Sequence, residues 1–557
     1  MTESLPFIMD EFVDTQIACQ LERGSNLYQD YKWIRTPLMN YLVAETVGDG
    51  INSFYTAVSA RKLMWLFTII IFILTFFISR QITNNYVAIW AITLLASYTT
   101  FLDRSIRVRA DLVSTLLSLP ALWVLVSPTL SLFYIGLAGF FLGVSFLATQ
   151  KAIYFVIAFG ISLIGRELVR FGFTKKYIIE ISKKTLISAF SFFIPIVIFF
   201  FWLYLTDQFH QFIDNGLFHA AQAGLANDTY KEATKIYFRQ TLFRNPAVWY
   251  LGISGLIMFF LQGIKRHKQQ QIETTSINDR ASYVALSLWM MTLLILILNH
   301  KVKFPYVFLN ISPSIAICAA YPLYISLSFL QKKQNKIFYY SNLLFLVLTL
   351  YYIFIPSLYR HHYNLKKSSL LKGQRAIMNR VDSITKIDDY VFDGIGMAVT
   401  RKKATPFSLT ARWFNERKAG ADYDIIGFLM NTEPKVIIMN YRIKRLQNEE
   451  KNFIEDHFIW DWANIFVVGK KINHTGPGET KIIVNLLAST EYAVLSKLRE
   501  NILIDGNIPD PKIFLSAGEH EIIIKETSQT FILKYFPAAS KPLPPQKPFV
   551  SFPSYRD

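Results

Sequence analysis

Residues 103–111 read Asp103-Arg104-Ser105-Ile106-Arg107-Val108-Arg109-Ala110-Asp111, with three arginines and two aspartates in nine positions. Apolar runs flank this knot at about 86–102 and 112–127, each close to the length that crosses a bilayer core. Charge this dense between two such runs marks a membrane surface, and arginine forks suit a phosphate or pyrophosphate. The plainer alternative is a belt of side chains snorkelling to the interface.

Working outward, eight more apolar runs appear, at about 63–79, 129–148, 152–165, 185–205, 247–264, 282–299, 305–330 and 338–358. The run at 152–165 is short and reads as a buried or tilted helix. No run follows 358. The chain has 557 residues, 52% of them hydrophobic, including 47 Phe. Its mean hydropathy is positive, which excludes an ordinary soluble protein. The net charge of +18 would suggest nucleic acid in a soluble chain. Here Lys and Arg in cytoplasmic loops explain it, so no nucleic-acid partner is expected. Cys318 lies in an apolar run and Cys19 outside one, which leaves no structural disulfide and no thiol metal site. No basic region followed by an apolar core opens the chain, so no signal peptide is read.

The densest basic loops, at 166–184, 265–281 and 331–337, are assigned to the cytoplasm. Alternation then puts 1–62, 103–111, 149–151, 206–246, 300–304 and everything after 358 on the other side. The loops 103–111 and 300–304 are basic and yet outside, which calls for an anion bound there. An outside start with no preceding span also leads us to expect that a first helix is missing from this chain.

The expected fold is a mainly α-helical polytopic membrane protein of about 10 or 11 spans with a C-terminal extracytoplasmic α/β plus β-sandwich region. Residues 1–62 form a first outer loop and 63–358 the membrane domain. Residues 359–472 form an α/β region, with short buried strands near 391–393, 436–439 and 465–468. Residues 473–557 form a β-sandwich-like region, with strands at 481–487, 492–495, 502–504, 512–515, 521–525 and 530–535, and a Pro-rich tail from Pro542.

Candidate chemistry lies in the outer segments. Asp10-Glu11 precedes an amphipathic run (Val13, Ile17, Leu21) that Gly24 ends. A carboxylate pair at an outer surface can supply a general base, although acidic residues are also favoured at any helix start. Asp111 ends the knot. Lys151 sits in a break between two runs, and His300-Lys301-Val302-Lys303 lies between two others. Each is ordinary flanking charge when taken alone. Together, three short outer loops supply cations.

These residues resemble a family. Asp10-Glu11, Gly24 with Leu27-Tyr28-Gln29-Asp30-Tyr31, and Thr36-Pro37-Leu38 with Tyr41-Leu42 are similar to the first outer loop of GT-C membrane glycosyltransferases. The likeness is to the branch of protein O-mannosyltransferases and the lipid A aminoarabinose transferase. Arg109-Ala110-Asp111 resembles that group's second acidic site. Gly139, Gly143 and Thr149-Gln150-Lys151 resemble its Gly-containing span ending in Lys. His300-Lys301 with Phe304-Pro305-Tyr306 and Pro313 resembles the segment that opens a late span.

The resemblance covers about 10–330 as spaced short motifs. It implies inverting transfer of a sugar from a polyprenyl-phosphate-linked donor to a lipid, glycan or protein acceptor on the extracytoplasmic side. Asp10, Glu11 and Asp111 are the implied catalytic residues, with Asp10 as the base that deprotonates the acceptor hydroxyl and Asp111 orienting its partners or binding the acceptor. Asp30, Arg104, Arg107, Arg109, Lys151, His300, Lys301 and Lys303 are the implied substrate contacts. The resemblance further implies an integral protein of the bacterial inner membrane, surrounded by membrane lipids, whose site and C-terminal region face the periplasm or exterior. No cofactor is assigned. A divalent cation is compatible, but the outer loops lack a compact ligand set, so no metal residues are named. A transporter or flippase of a lipid-linked sugar is the alternative. It would place charge near mid-membrane and show paired halves, and neither is visible.

Overall fold

The computed structural model describes residues 3, 5–48, 50–219, 231–265, 274–301, 303–331, 336–366, 368–418, 420–474, 478–496, 498–525 and 529–548. They form two compact units. One holds Trp33–Leu42 and Arg61–Lys366; the other holds Glu3–Lys32, Val43–Ala60 and Lys367–Asp557. The chain opens with α1 (Met9–Glu22), α2 (Leu38–Val47) and α3 (Ser53–Ile82).

The helical unit continues with α4 (Asn85–Ser97), α5 (Thr99–Ser105), α6 (Ala110–Val126), α7 (Leu132–Ala148), α8 (Ile153–Phe171) and α9 (Lys175–Leu205). Helices Pro246–Ile264, Thr274–Leu298, Ser312–Gln331 and Lys336–Lys366 complete it. All ten apolar runs are helical. Among the described residues, seven helices are long and apolar enough to cross a membrane, or eight if the α4–α5 pair, bent by 69°, is one span. The remaining two, α6 and α7, have 17 residues each.

Close helix contact explains the small residues. A Cβ on Gly139 of α7 would lie 2.2 Å from the Ser188 carbonyl oxygen of α9, and one on Gly143 would lie 2.2 Å from that of Phe192. The Gly-x-x-x-Gly spacing lets the two backbones approach, the usual basis of helix association where water exerts no drive. Gly255 meets the Cys318 backbone in the same way.

The expected basic loop at 166–184 is instead mostly helix, broken near Gly172. Arg166 is fully buried and donates to the backbone carbonyls of Leu125 and Ser127 at the end of α6. It thereby satisfies acceptors that a helix end leaves open. Glu167, also fully buried, pairs with Lys184 at 2.8 Å and lies 3.7 Å from Arg170. Basic spacing alone did not separate a loop from helix ends tied by a buried ion network. The expected polar loop at 206–246 likewise contains helices Phe212–His219 and Lys231–Arg244.

The second unit is built on mixed sheet. Its strands are β1 (Tyr390–Phe392), β2 (Lys402–Lys403), β3 (Val436–Ile438), β4 (Phe458–Trp462), β5 (Ile465–His474), β6 (Thr480–Leu486), β7 (Thr490–Leu495), β8 (Ile502–Ile504), β9 (Lys512–Leu515), β10 (Gly518–Ile524) and β11 (Gln529–Tyr535). The first sheet runs β2-β1-β3-β5-β11-β7-β9, with β4 also on β5, and the second runs β6-β10-β8. The β2-β1-β3 part is parallel and the rest antiparallel. The late strands fall close to their expected positions, but three of them extend the sheet that β1 begins.

Helix α1 belongs to this unit and packs on the loop after β1. Gln16 Nε2 donates to the carbonyls of Ala398 and Arg401 at 3.4 Å, and Arg23 Nη1 to that of Thr400 at 2.6 Å. Gly396 has a φ of +77°, and a Cβ there would sit 2.9 Å from Gln16 Oε1. Only glycine meets both demands without strain.

Candidate functional site

In the helical unit the sequence turns sharply after α4, and α5 delivers the knot to the start of α6. Arg109 is the extended residue before α6, and Asp111 stands in that helix's first turn. Arg109 Nη2 and Nε lie 3.1 and 3.3 Å from one oxygen of Asp111. Lys151, on the 3-10 turn Gln150–Ala152, places Nζ 3.1 Å from the other oxygen. Gln150 anchors that turn by donating to the carbonyls of Ile34 and Gly216, each at 3.2 Å.

The ring of Tyr306 lies beneath both cations, with its centroid 3.5 Å from the Arg109 guanidinium carbon and 4.6 Å from Lys151 Nζ. The negative face of the ring holds the two positive groups side by side. Tyr306 is carried by the 3-10 segment Pro305–Ile311, whose Asn310 accepts from Thr115 of α6 at 3.2 Å. His300 Nδ1 is 2.8 Å from the Tyr154 hydroxyl.

The electrostatics follow from this packing. Burial alone would raise the pKa of Asp111. The charges of Lys151 and Arg109, with Arg35 beyond them, reverse the effect and hold it at about 2. A carboxylate that acidic, with both oxygens in ion pairs, is a poor proton acceptor. The geometry of Asp111 is that of an anion that fixes two cations at one point. The Arg109 and Asp111 side chains are 5% and 4% exposed, whereas Lys151 is 29% exposed and is the most accessible of the three. Burial, then the Lys151 charge, lowers the His300 pKa to about 4 against the opposing pull of Asp111. The imidazole is thus neutral at physiological pH and can donate or accept one hydrogen bond.

Around this centre Arg104 lies within electrostatic reach of Arg107, Arg109, Arg244 and Asp103. Arg107 Nε donates to the Asp103 carbonyl at 3.0 Å, and Asp103 pairs with Arg360 at 2.5 Å. Cations outnumber carboxylates here, so the region attracts anions. Lys303 is near enough for its charge to act on His300, and Lys301 is exposed.

Asp10, Glu11 and Asp30 belong to the other unit. Glu11 is fully buried and accepts from the Ile8 backbone N–H at 3.0 Å, so it caps α1. Asp10 is partly exposed in the first turn. Asp30 is exposed and accepts from the Asn26 N–H at 2.7 Å, closing a local turn. Sequence reading passed over Arg35 and Tyr154, which lie beside quoted motifs without belonging to them, and Arg360, which lies inside the helix Lys336–Lys366. It also passed over Asp14, which is buried one helical turn after Asp10. The i to i+4 spacing was the available signal. Among the described residues no three His, Cys, Asp or Glu side chains converge as metal ligands.

No protein-family model and no curated protein matches the chain. Solved structures do. ArnT from Cupriavidus metallidurans bound to undecaprenyl phosphate matches with a TM-score of 0.52 at 11% identity, covering 84% of this chain and 94% of that one. The oligosaccharyltransferase of Archaeoglobus fulgidus in complex with Zn and sulfate gives 0.41 at 16% identity, over 63% of this chain and 49% of that one. Its apo form gives 0.45 at 13%, over 78% and 66%. The chain therefore spans between half and two thirds of the archaeal protein's length. The ArnT match shows a shared fold over nearly the whole of both chains, which is the fold that the GT-C resemblance implied.

Proposed function

We propose that this chain is a membrane glycosyltransferase that moves a sugar from a polyprenyl-phosphate-linked donor to an acceptor hydroxyl, with inversion, on the extracytoplasmic side of a bacterial inner membrane. The single observation that carries this reading is the Arg109–Asp111–Lys151 cluster on Tyr306, a built cationic centre in a unit of apolar helices. The ArnT structure of the same fold was crystallised with undecaprenyl phosphate, a lipid phosphate of the proposed donor class.

In the proposed step the acceptor oxygen attacks the anomeric carbon from the side opposite the phosphate. The anomeric C–O bond to phosphate breaks, and the electron pair leaves with the lipid phosphate. Negative charge grows on that phosphate as the bond breaks, so preorganised cations lower the barrier more than they bind the ground state. Lys151 and Arg109 are the proposed phosphate contacts, and neutral His300 adds a hydrogen bond. A carboxylate takes the acceptor proton. Asp10 is the proposed base: it is partly exposed, whereas Glu11 caps its helix and Asp111 is held as a paired anion.

The test uses the full chain in proteoliposomes with a polyprenyl-phosphate-linked sugar and a membrane extract as acceptor source. Free polyprenyl phosphate and a new glycoside should appear together, and both should fall at least tenfold in Lys151→Met. Movement of intact donor across the bilayer with no bond cleavage would replace this reading with transport.

A further inference from the structure

In the sheet unit, the loops that follow β1 and its parallel neighbour β3 lie at the carboxyl ends of the two strands, where open parallel sheets offer a crevice. Asn440 locks the loops together. Its Nδ2 donates to the Asp393 carbonyl at 2.6 Å, and its Oδ1 accepts from the Arg442 N–H at 2.8 Å. This fixes Arg442, only 7% exposed, with its guanidinium 5.0 Å from the Tyr441 ring centre and 6.0 Å from that of Phe414. Arg445, exposed, sets a second guanidinium 4.5 Å from the Phe414 ring.

Neighbouring charges are already matched. Arg412 pairs with Glu416, Arg417 pairs with Glu450, and the Asp393 carboxylate accepts the backbone N–H groups of Ile395, Gly396 and Ala398. Arg442 and Arg445 are not. Among the described residues neither has a carboxylate partner, and Arg442 Nε is sealed from solvent without a hydrogen bond. A buried guanidinium left so is costly unless something pairs with it. The Tyr441 hydroxyl lies 3.7 Å from the sulfur of Met9, the first residue of α1 and the one before Asp10.

We infer that these loop ends form an acceptor subsite for an anionic saccharide, with Arg442 and Arg445, held over the buried Phe414 ring, gripping a phosphate or carboxylate on the sugar and the partly exposed Tyr441 facing its ring. Planar guanidinium forks match such oxyanions, and aromatic faces suit the flat C–H side of a sugar. The inference rests on the proposed function for the word acceptor, since the site stands at the end of the helix that carries the proposed base. The charged, ring-faced site selects a glycan over a neutral peptide.

The test measures binding of glucosamine 6-phosphate, glucuronate and uncharged N-acetylglucosamine to the full-length solubilised protein by calorimetry. The inference expects a charged sugar to bind and the neutral one not to. It expects Arg442→Gln and Arg445→Gln each to weaken that binding about tenfold or more, and Arg442→Lys to restore part of it. The two charged probes separate phosphate from carboxylate recognition. Arg445 is exposed, so its variant keeps the test valid if Arg442→Gln fails to fold. Equal binding of the neutral sugar, or unchanged affinity in Arg445→Gln, would overturn the site. Polyprenyl phosphate binding is measured alongside: its absence, with the sugar site intact, would refute the donor reading alone.

Discussion

Replacing Asp111 by Asn keeps the shape and removes the charge that holds Arg109 and Lys151. Three charge-assisted contacts at 3.1–3.3 Å end on this carboxylate. Removing one partner of a buried ion pair costs about 3–5 kcal/mol, because the other charge stays buried and uncompensated. The depressed pKa gives a second estimate. Against an unfolded value of 3.8, a folded value of about 2 corresponds to about 2 kcal/mol of stability. That contribution is present above pH 4 and is lost as pH falls from about 4 to about 2, since the unfolded carboxylate protonates first.

A loss of about 2–5 kcal/mol is therefore expected for Asp111→Asn at neutral pH, visible as a lower thermal midpoint of the solubilised protein. Adding polyprenyl phosphate should restore more stability to the variant than to the parent, because the lipid anion replaces the missing charge. Transfer should still fall, since the two cations lose their fixed geometry. A variant as stable as the parent, or one that the lipid phosphate stabilises no better than it does the parent, would refute the reasoning.

Asp10→Asn should lower transfer by about two to four orders of magnitude with polyprenyl phosphate binding unchanged, whereas Glu11→Gln should chiefly cost about 1 kcal/mol in thermal stability. Full activity in Asp10→Asn would move the base elsewhere. The His300 ring should stay neutral down to about pH 4 in NMR titration. The unfolded ring protonates near 6.5, so stability linked to it is present above that pH and lost as pH falls towards 4, a slope that His300→Gln should reduce. Gly139→Ala forces a carbon to within 2.2 Å of the Ser188 carbonyl oxygen, so the α7–α9 pair must separate, at a cost of about 1–3 kcal/mol. Unchanged unfolding in that variant would show that the helices do not pack this closely.

Sequence alone determined much of this protein. Apolar runs are long, local features, and each of the ten is helical because a buried backbone must satisfy its own hydrogen bonds. The late strands were legible from alternation and turn residues. So was the gathering of Arg109, Asp111, Lys151 and His300, through charges that sit at the ends of apolar runs. What sequence could not supply is pairing. It grouped Asp111 with the other acidic candidates, and only the tertiary structure brings Arg109 and Lys151 onto its two oxygens. It read 166–184 as a solvated basic loop, and only the burial of Arg166 and Glu167 among helix ends shows an ion network. It preferred Asp10 to Glu11 only as the leading, shorter member of the pair, and the turn of Glu11 back to the Ile8 N–H, which caps the helix, is a side-chain direction that local sequence does not carry. In each case the deciding quantity is an interaction between residues far apart in sequence or a side-chain direction, and neither is encoded in local periodicity or charge.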